Sequence, residues 1–357
     1  MSELEPNNTY PNNTYKDHLS KAALEPVDFA SSIQPYGVLL VLSNSELILL
    51  QASANVKDYF GIWPQDLLGQ SLRMLLPEAG IALIQQELNR LSSTRSRHFS
   101  KSSLYVWRDG QPFNATLSRS ADTIILELEP AAQSEPQPLQ LHTQIKLAIA
   151  HLRQVPDLIE FLQLAAVEVR HITGFDRVMV YQFDAQGAGE VVAEAKRDDL
   201  SPYLGLHYPA TDIPEPVRAL YRQGMIRYIP DLGAQAVELV PLQNPLTHQP
   251  LDLSLSLLRS VDACCVEYHQ NMDVAAILVI ALIQGETLWG LISCHHQTPK
   301  SSAYEVREYC ELLAQLIASE LANKVNIEEL SYLTKLRSLQ SEFVQSISQA
   351  DDLKQAL

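Results

Sequence analysis

Cysteine is scarce in this chain: there are four in 357 residues, Cys264, Cys265, Cys294 and Cys310, all in the C-terminal third. A disulfide framework would spread its cysteines more widely, so any role for these thiols is chemistry rather than stapling. Basic residues are also short. Lys and Arg number 26 against 42 Asp and Glu, a formal charge of −16, which argues against nucleic acid or an anionic membrane surface as the main partner. Long apolar runs are missing too. Nowhere do about eighteen apolar residues follow one another, and the N-terminus MSELEPNNTYPNNTYKDH lacks the basic-then-apolar order of a signal peptide. The chain therefore reads as cytoplasmic, and the Asn-Asn-Thr triplets of its duplicated arm, residues 1–20, read as chance matches to a glycosylation signal. A content of 46% hydrophobic and 19% charged residues excludes disorder and collagen, and the length suggests two or three cores.

The apolar pattern divides the chain. Gly37 to Leu42 and Leu47 to Leu50, with a turn at Ser43-Asn-Ser45, predict a hairpin of largely buried strands. Helical segments at 66–69 and 78–91 and further strands at 103–107, 113–118 and 123–128 complete a small α+β domain over 21–129. The proline-rich stretch 130–140 has the composition of a linker. A second domain, 141–322, opens with helical periodicity broken at Pro156 and contains the apolar hairpin Ala275 to Ile283 and Leu288 to Ile292, which must be covered on both faces. After Pro299 neither proline nor glycine occurs, so 323–357 extends a long helix, with at most one break, into a connector or dimer element. The ending on Ala356-Leu357 suggests a piece of something longer.

The segment Asp198 to Pro214 has the turn residues of a structured loop. Together with Arg227, Arg259, Cys264, Cys265, Tyr268, Cys294, His295 and His296 it could surround an anionic, partly apolar ligand, because arginines clamp carboxylates in bidentate fashion. Blander readings remain at this level: the adjacent cysteines as small core residues, the histidine pair as a strand cap. Zinc is disfavoured, because Cys264-Cys265 and Cys294-His295 lack the usual ligand spacings, and nothing marks an oxyanion site for a cysteine–histidine nucleophile.

Longer motifs carry a resemblance. Tyr203-Leu-Gly-Leu-His-Tyr-Pro-Ala-Thr-Asp-Ile-Pro214, Leu258-Arg-Ser260 running into Cys264, Asn271-Met272 and Leu288-Trp-Gly-Leu-Ile-Ser-Cys-His-His-Gln-Thr-Pro-Lys300 resemble the bilin-binding domain of phytochromes. Ser32-Ile-Gln-Pro-Tyr-Gly-Val-Leu-Leu-Val-Leu42 and Gln51-Ala-Ser-Ala-Asn55 resemble the PAS domain that precedes it. The match runs over roughly residues 22 to 325, and several long motifs in the right order make it specific. The resemblance implies an α+β fold of a PAS domain and a GAF domain, each with a central antiparallel sheet, joined by a figure-of-eight knot in which the segment from Glu25 to Gln34 threads a GAF loop, with a long C-terminal helix. It implies that Cys264 forms a thioether with a linear tetrapyrrole, that Arg227 and Arg259 pair with the propionates, and that Asp212, with Ile213 and Pro214 beside it, organises the pyrrole nitrogens. His295 falls on the hydrogen-bond partner of the D-ring carbonyl, and Tyr181, Tyr208 and Tyr268 on the aromatic walls around that ring, whose 15,16 double bond isomerises on photon absorption.

Two positions depart from the family's pattern. Cys265 stands where a histidine usually follows the attachment cysteine, leaving open an alternative attachment there, and Ile277 stands where a serine often touches a propionate. Ala22 occupies the region where biliverdin-binding bacterial relatives carry their attachment cysteine, so the cyanobacterial type with phycocyanobilin is expected and biliverdin is a secondary bilin. The resemblance further implies a homodimer through the C-terminal helix and, in a full-length protein, PHY and histidine kinase domains with a response regulator. Attachment would be self-catalysed, so the chain reads as a receptor and not an enzyme. A GAF-type small-molecule sensor without chromophore is the competing reading.

Overall fold

The computed structural model describes residues 32–93, 102–108, 110–120, 123–131, 138–224 and 226–349. The arm 1–20, Ala22 and most of the predicted crossing segment lie outside them. The first sheet contains β1 (Ser32–Ile33), β2 (Val38–Ser43), β3 (Leu49–Ser53), β4 (Ser102–Arg108), β5 (Gln111–Ser120), β6 (Thr123–Pro130) and β11 (Val237–Val240), in the order β1-β11-β3-β2-β6-β5-β4 with antiparallel pairings.

Strand alternation explains why β2 is apolar throughout. Val38, Leu40 and Leu42 pack with Val56, Leu67, Ile81 and Ile84 of the helices α1 (Val56–Phe60), α2 (Pro64–Leu67) and α3 (Glu78–Ser93). Leu39 and Val41, on the other face, pack with Leu239, Leu251, Leu253 and Leu258. The sheet is thus covered from behind by chain some two hundred residues away. Glu127 of β6 anchors that cover, accepting from Ser256 Oγ at 2.5 Å and from the Leu258 amide at 2.8 Å.

The second sheet runs β10-β12-β13-β7-β8-β9, built from β7 (Arg177–Phe183), β8 (Gly189–Lys196), β9 (His207–Tyr208), β10 (Ile226–Ile229), β12 (Ala276–Gln284) and β13 (Thr287–His296). The predicted loop 198–214 is therefore not wholly irregular, because His207 and Tyr208 add an edge strand to β8. One face packs on α4 (Pro138–Gln154), α5 (Leu158–Thr173) and the start of α8 (Tyr304–Gln349). Pro156 separates α4 from α5, and Asp157 caps α5 by accepting from the Glu160 amide at 2.9 Å. The opposite face meets α6 (Glu215–Gln223), α7 (Ala263–Gln270) and the 198–214 segment. As expected for so apolar a hairpin, both faces of β12 are buried.

Between the sheets, Ser32–Gln34 is gripped on two sides. Ser32 and Ile33 pair with Glu238 and Val237 of β11. On the other side the Gln34 amide donates to Leu258 O at 2.7 Å, the Ser260 amide donates to Ser32 O at 3.1 Å, and Gln34 Nε2 donates to Tyr228 O and Arg259 O, each at 3.1 Å. Both partners, 237–240 and 257–260, belong to the excursion between β10 and α7.

The helix α8 is continuous for 46 residues, without the break the sequence allowed. Its first turns bury Cys310, Leu313, Ile317 and Leu321. Beyond Leu330, however, Leu333, Leu336, Leu339, Phe343 and Ile347 are exposed, so this half lacks a covering core within the described chain.

Candidate functional site

Alternation along β13 sorts the Cys294-His295-His296 run. His295 belongs with Ser293 and Leu291 on the face toward α7, whereas Cys294 is completely buried on the α5/α8 face among Ile292, Cys310 and Leu313. His296 points away as well: its Nδ1 lies 2.9 Å from Asp176 Oδ2 and its ring stands edge-on to Phe175 at 5.8 Å. Cys294 and His296 therefore leave the candidate ring of ligand groups, and His295 stays.

The remaining candidates converge. Arg227 of β10 shares the face of Ile229, and its guanidinium donates to Arg259 O and Ser260 O, both at 2.8 Å. Arg259 donates to Ser254 O. The two cations sit close enough to Cys265 and Tyr221 to act on both electrostatically. Asp212, in the turn before Ile213 and Pro214, accepts from Tyr268 Oη at 3.3 Å; burial raises its carboxyl above the usual range, against the hydrogen bonds from Tyr268 and Thr211. Tyr181 of β7 lies 6.0 Å from Tyr208 of β9, ring to ring, and burial with nearby Asp212 pushes its phenol up to about 12. Ile277 is buried on the same face.

On α7 the side chain of Asp262 caps the helix, accepting from the Cys265 amide at 2.8 Å. Both cysteines are half-buried free thiols, and they differ electrostatically. Burial with Asp262 drives Cys265 up to about 12 against the pull of Arg227 and Arg259, while Cys264 is raised by burial, Asp262 and Glu267. His295 is buried and held far below an ordinary histidine by burial, by His269 and by Arg177. It is therefore neutral near pH 7. Ser293 Oγ lies 3.0 Å from its Nε2, and its Nδ1 is a buried polar atom without a protein partner. Such an atom calls for a ligand or water.

The sequence reading missed two residues of this face, Tyr221 of α6 and His269 of α7, and within the 198–214 segment did not single out Tyr203, whose ring lies under the Arg177 guanidinium at 3.7 Å. His269 could have been found, since it is four residues after Cys265 and so on the same helix face.

One close approach is testable. A Cβ placed on Gly189 of β8 would sit 2.1 Å from the Tyr181 ring. Gly189→Ala is expected to displace that ring and to cost about 1–3 kcal/mol, the range for overpacking a filled core. A urea midpoint equal to that of the wild type would refute this.

The donor set suits a ligand with two carboxylates, a conjugated apolar body and polar nitrogens: two guanidiniums, a carboxyl, a neutral imidazole and several tyrosines gather on one face of the sheet. No group of three or more histidine, cysteine or acidic residues placed to hold a metal occurs among the described residues.

Comparisons with known proteins agree with this architecture. Residues 22–131 match the PAS fold family and residues 157–325 the GAF domain family. Cyanobacterial phytochrome B of Nostoc sp. is 41% identical over 348 residues, covering 95% of this chain and 45% of that protein. The solved chromophore-binding domain of an unusual bacteriophytochrome from R. palustris superposes with a TM-score of 0.77 at 37% identity, covering 85% of this chain and 98% of that one. The chromophore-binding domain of Stigmatella aurantiaca phytochrome P1 does so with a TM-score of 0.75 at 38% identity, covering 83% and 97%. The chain spans just under half the length of the cyanobacterial relatives it matches.

Proposed function

The chain belongs to the phytochrome family, and on that premise we propose that it is a red/far-red photoreceptor which holds a linear tetrapyrrole covalently on Cys264. The observation that carries this reading is the convergence, on one face of the second sheet, of Arg227, Arg259, Asp212, Tyr181, Tyr208, Tyr268 and His295, beside the helix α7 on which Cys264 stands.

A bound bilin supplies the chromophore and the double bond that isomerises. The protein does the rest. Arg227 and Arg259 offer their guanidiniums to the two propionates, whose burial needs charge-assisted partners. The raised Asp212 carboxyl, tied to Tyr268, faces the pyrrole nitrogens with Ile213 and Pro214 shaping the turn, and His295 presents a neutral imidazole to a carbonyl. Cys265 lies in the same pocket as a wall. Phycocyanobilin is the bilin we assign, with biliverdin as a weaker alternative. We assign the PAS domain to 21–129, the GAF domain to 141–322, and dimer or connector duty to the exposed half of α8, with a kinase and its response regulator downstream in the full-length context. The chain carries no membrane-length apolar helix among its described residues, and we place the protein in the cytoplasm, acting as a receptor without enzymatic turnover.

The test is an absorption spectrum of the protein produced with phycocyanobilin, before and after red light. A red band that bleaches, giving a far-red state that forms incompletely or decays in the dark, is expected. No bound pigment would overturn the reading in favour of a plain GAF ligand sensor.

A further inference from the structure

The imidazole pair of this pocket has a member that the ligand roles above leave unused. His269 is half-buried under α7, its ring 5.5 Å from that of His295 and nearly perpendicular to it, at 76°. Its Nδ1 lies 2.8 Å from the carbonyl oxygen of Cys265 and 3.6 Å from Cys265 Sγ. A carbonyl can only accept, so Nδ1 carries the proton and Nε2 is left as an acceptor. The groups facing the ring are Asp262, Cys265 and Tyr268 from α7 and His295 from β13, with Arg177 behind His295 and Arg227 and Arg259 beyond Cys265. Burial keeps His269 below an ordinary histidine despite Asp262 and its bond to the Cys265 carbonyl.

Resting on the phytochrome reading, we infer that His269 is a bilin-facing proton acceptor, its Nε2 taking a hydrogen bond from a pyrrole N–H in the part of the pocket that the Cys265 thiol cannot serve. The thiol there is an inadequate substitute, being a weak acceptor held protonated. Positions 265 and 269 are one helical turn apart on one face, so an imidazole placed at either should reach the same patch. A neutral acceptor stabilises the protonated bilin, so removing it lowers the pH at which the bilin loses a proton.

Two readouts test this. In the bilin-free protein, nitrogen NMR of the histidines should show His269 as the Nδ1–H tautomer, titrating below an ordinary histidine; the Nε2–H tautomer would overturn the assignment. In the bilin-loaded protein, His269→Leu should lower the alkaline midpoint of the red band by about one pH unit, a tenfold change in proton affinity, and the double variant Cys265→His/His269→Leu should bring it back to within a few tenths. His269→Phe, an apolar ring of similar size with no acceptor, serves should the leucine variant not fold. A midpoint equal to wild type in the single variants sinks the inference while leaving the photoreceptor reading intact, and failure of wild-type protein to bind pigment sinks that reading instead.

Discussion

Cys264→Ala is expected to abolish the covalent adduct, so that the zinc-fluorescent band on a denaturing gel disappears, while Cys265→Ala should keep it. The two thiols are neighbours in the first turn of α7, and residue type alone cannot choose between them. Their surroundings do. The thiolate is the nucleophile, and Cys265, at about 12, would be ionised in roughly one molecule in ten thousand at pH 8. Cys264 escapes most of that desolvation, although Asp262 and Glu267 still raise it above an ordinary thiol. Attachment should therefore speed up with pH, roughly tenfold per unit while the thiol stays mostly protonated. Rates independent of pH between 7 and 9 would contradict a scarce thiolate as the rate-limiting species. Fluorescence lost in Cys265→Ala and kept in Cys264→Ala would move the attachment by one residue.

Arg307→Met should destabilise the fold by about 3–5 kcal/mol, the usual cost of stranding one partner of a buried ion pair. Arg307, from α8, and Glu129, from β6, are 4% and 7% exposed and joined by two guanidinium–carboxylate contacts. The guanidinium also stands over the rings of Tyr228 and Tyr304, at 4.5 Å and 5.2 Å. Removing the cation leaves a buried carboxylate without its counter-charge. Removing both, in Arg307→Met/Glu129→Leu, should recover most of the loss, because two apolar side chains of similar volume need no desolvation. Urea unfolding followed by tryptophan fluorescence reads both changes. A loss below about 1 kcal/mol in Arg307→Met would show that water already reaches the pair. Tyr228 follows Arg227 on β10, so one strand carries the guanidinium we assign to a propionate on one face and a contact with the long helix on the other.

Much of this molecule is legible in local pattern, because local pattern is where the physics acts. Buried strands such as Val38 to Ser43 and Ala276 to Gln284 announce themselves by unbroken apolar runs, α8 by the absence of proline and glycine, and the α4–α5 break by Pro156. The long motifs around Asp212, Arg259 and His295 were sufficient to point to a bilin. Tertiary structure alone decided the rest. Nothing near Val237–Val240 foretells its pairing with Ser53 and Ala52, since the free side of a strand is satisfied by any extended backbone that reaches it and the partner lies far along the chain. Side-chain direction is another such decision. His295 enters the site while Cys294 and His296 turn to the opposite face, because alternate residues of a strand point to opposite sides, and only the paired register says which side holds the pocket. The same holds for the two thiols of α7: identical residues, one position apart, are given different acidity by the depth at which the helix sets each of them, a quantity that exists only once the chain has packed.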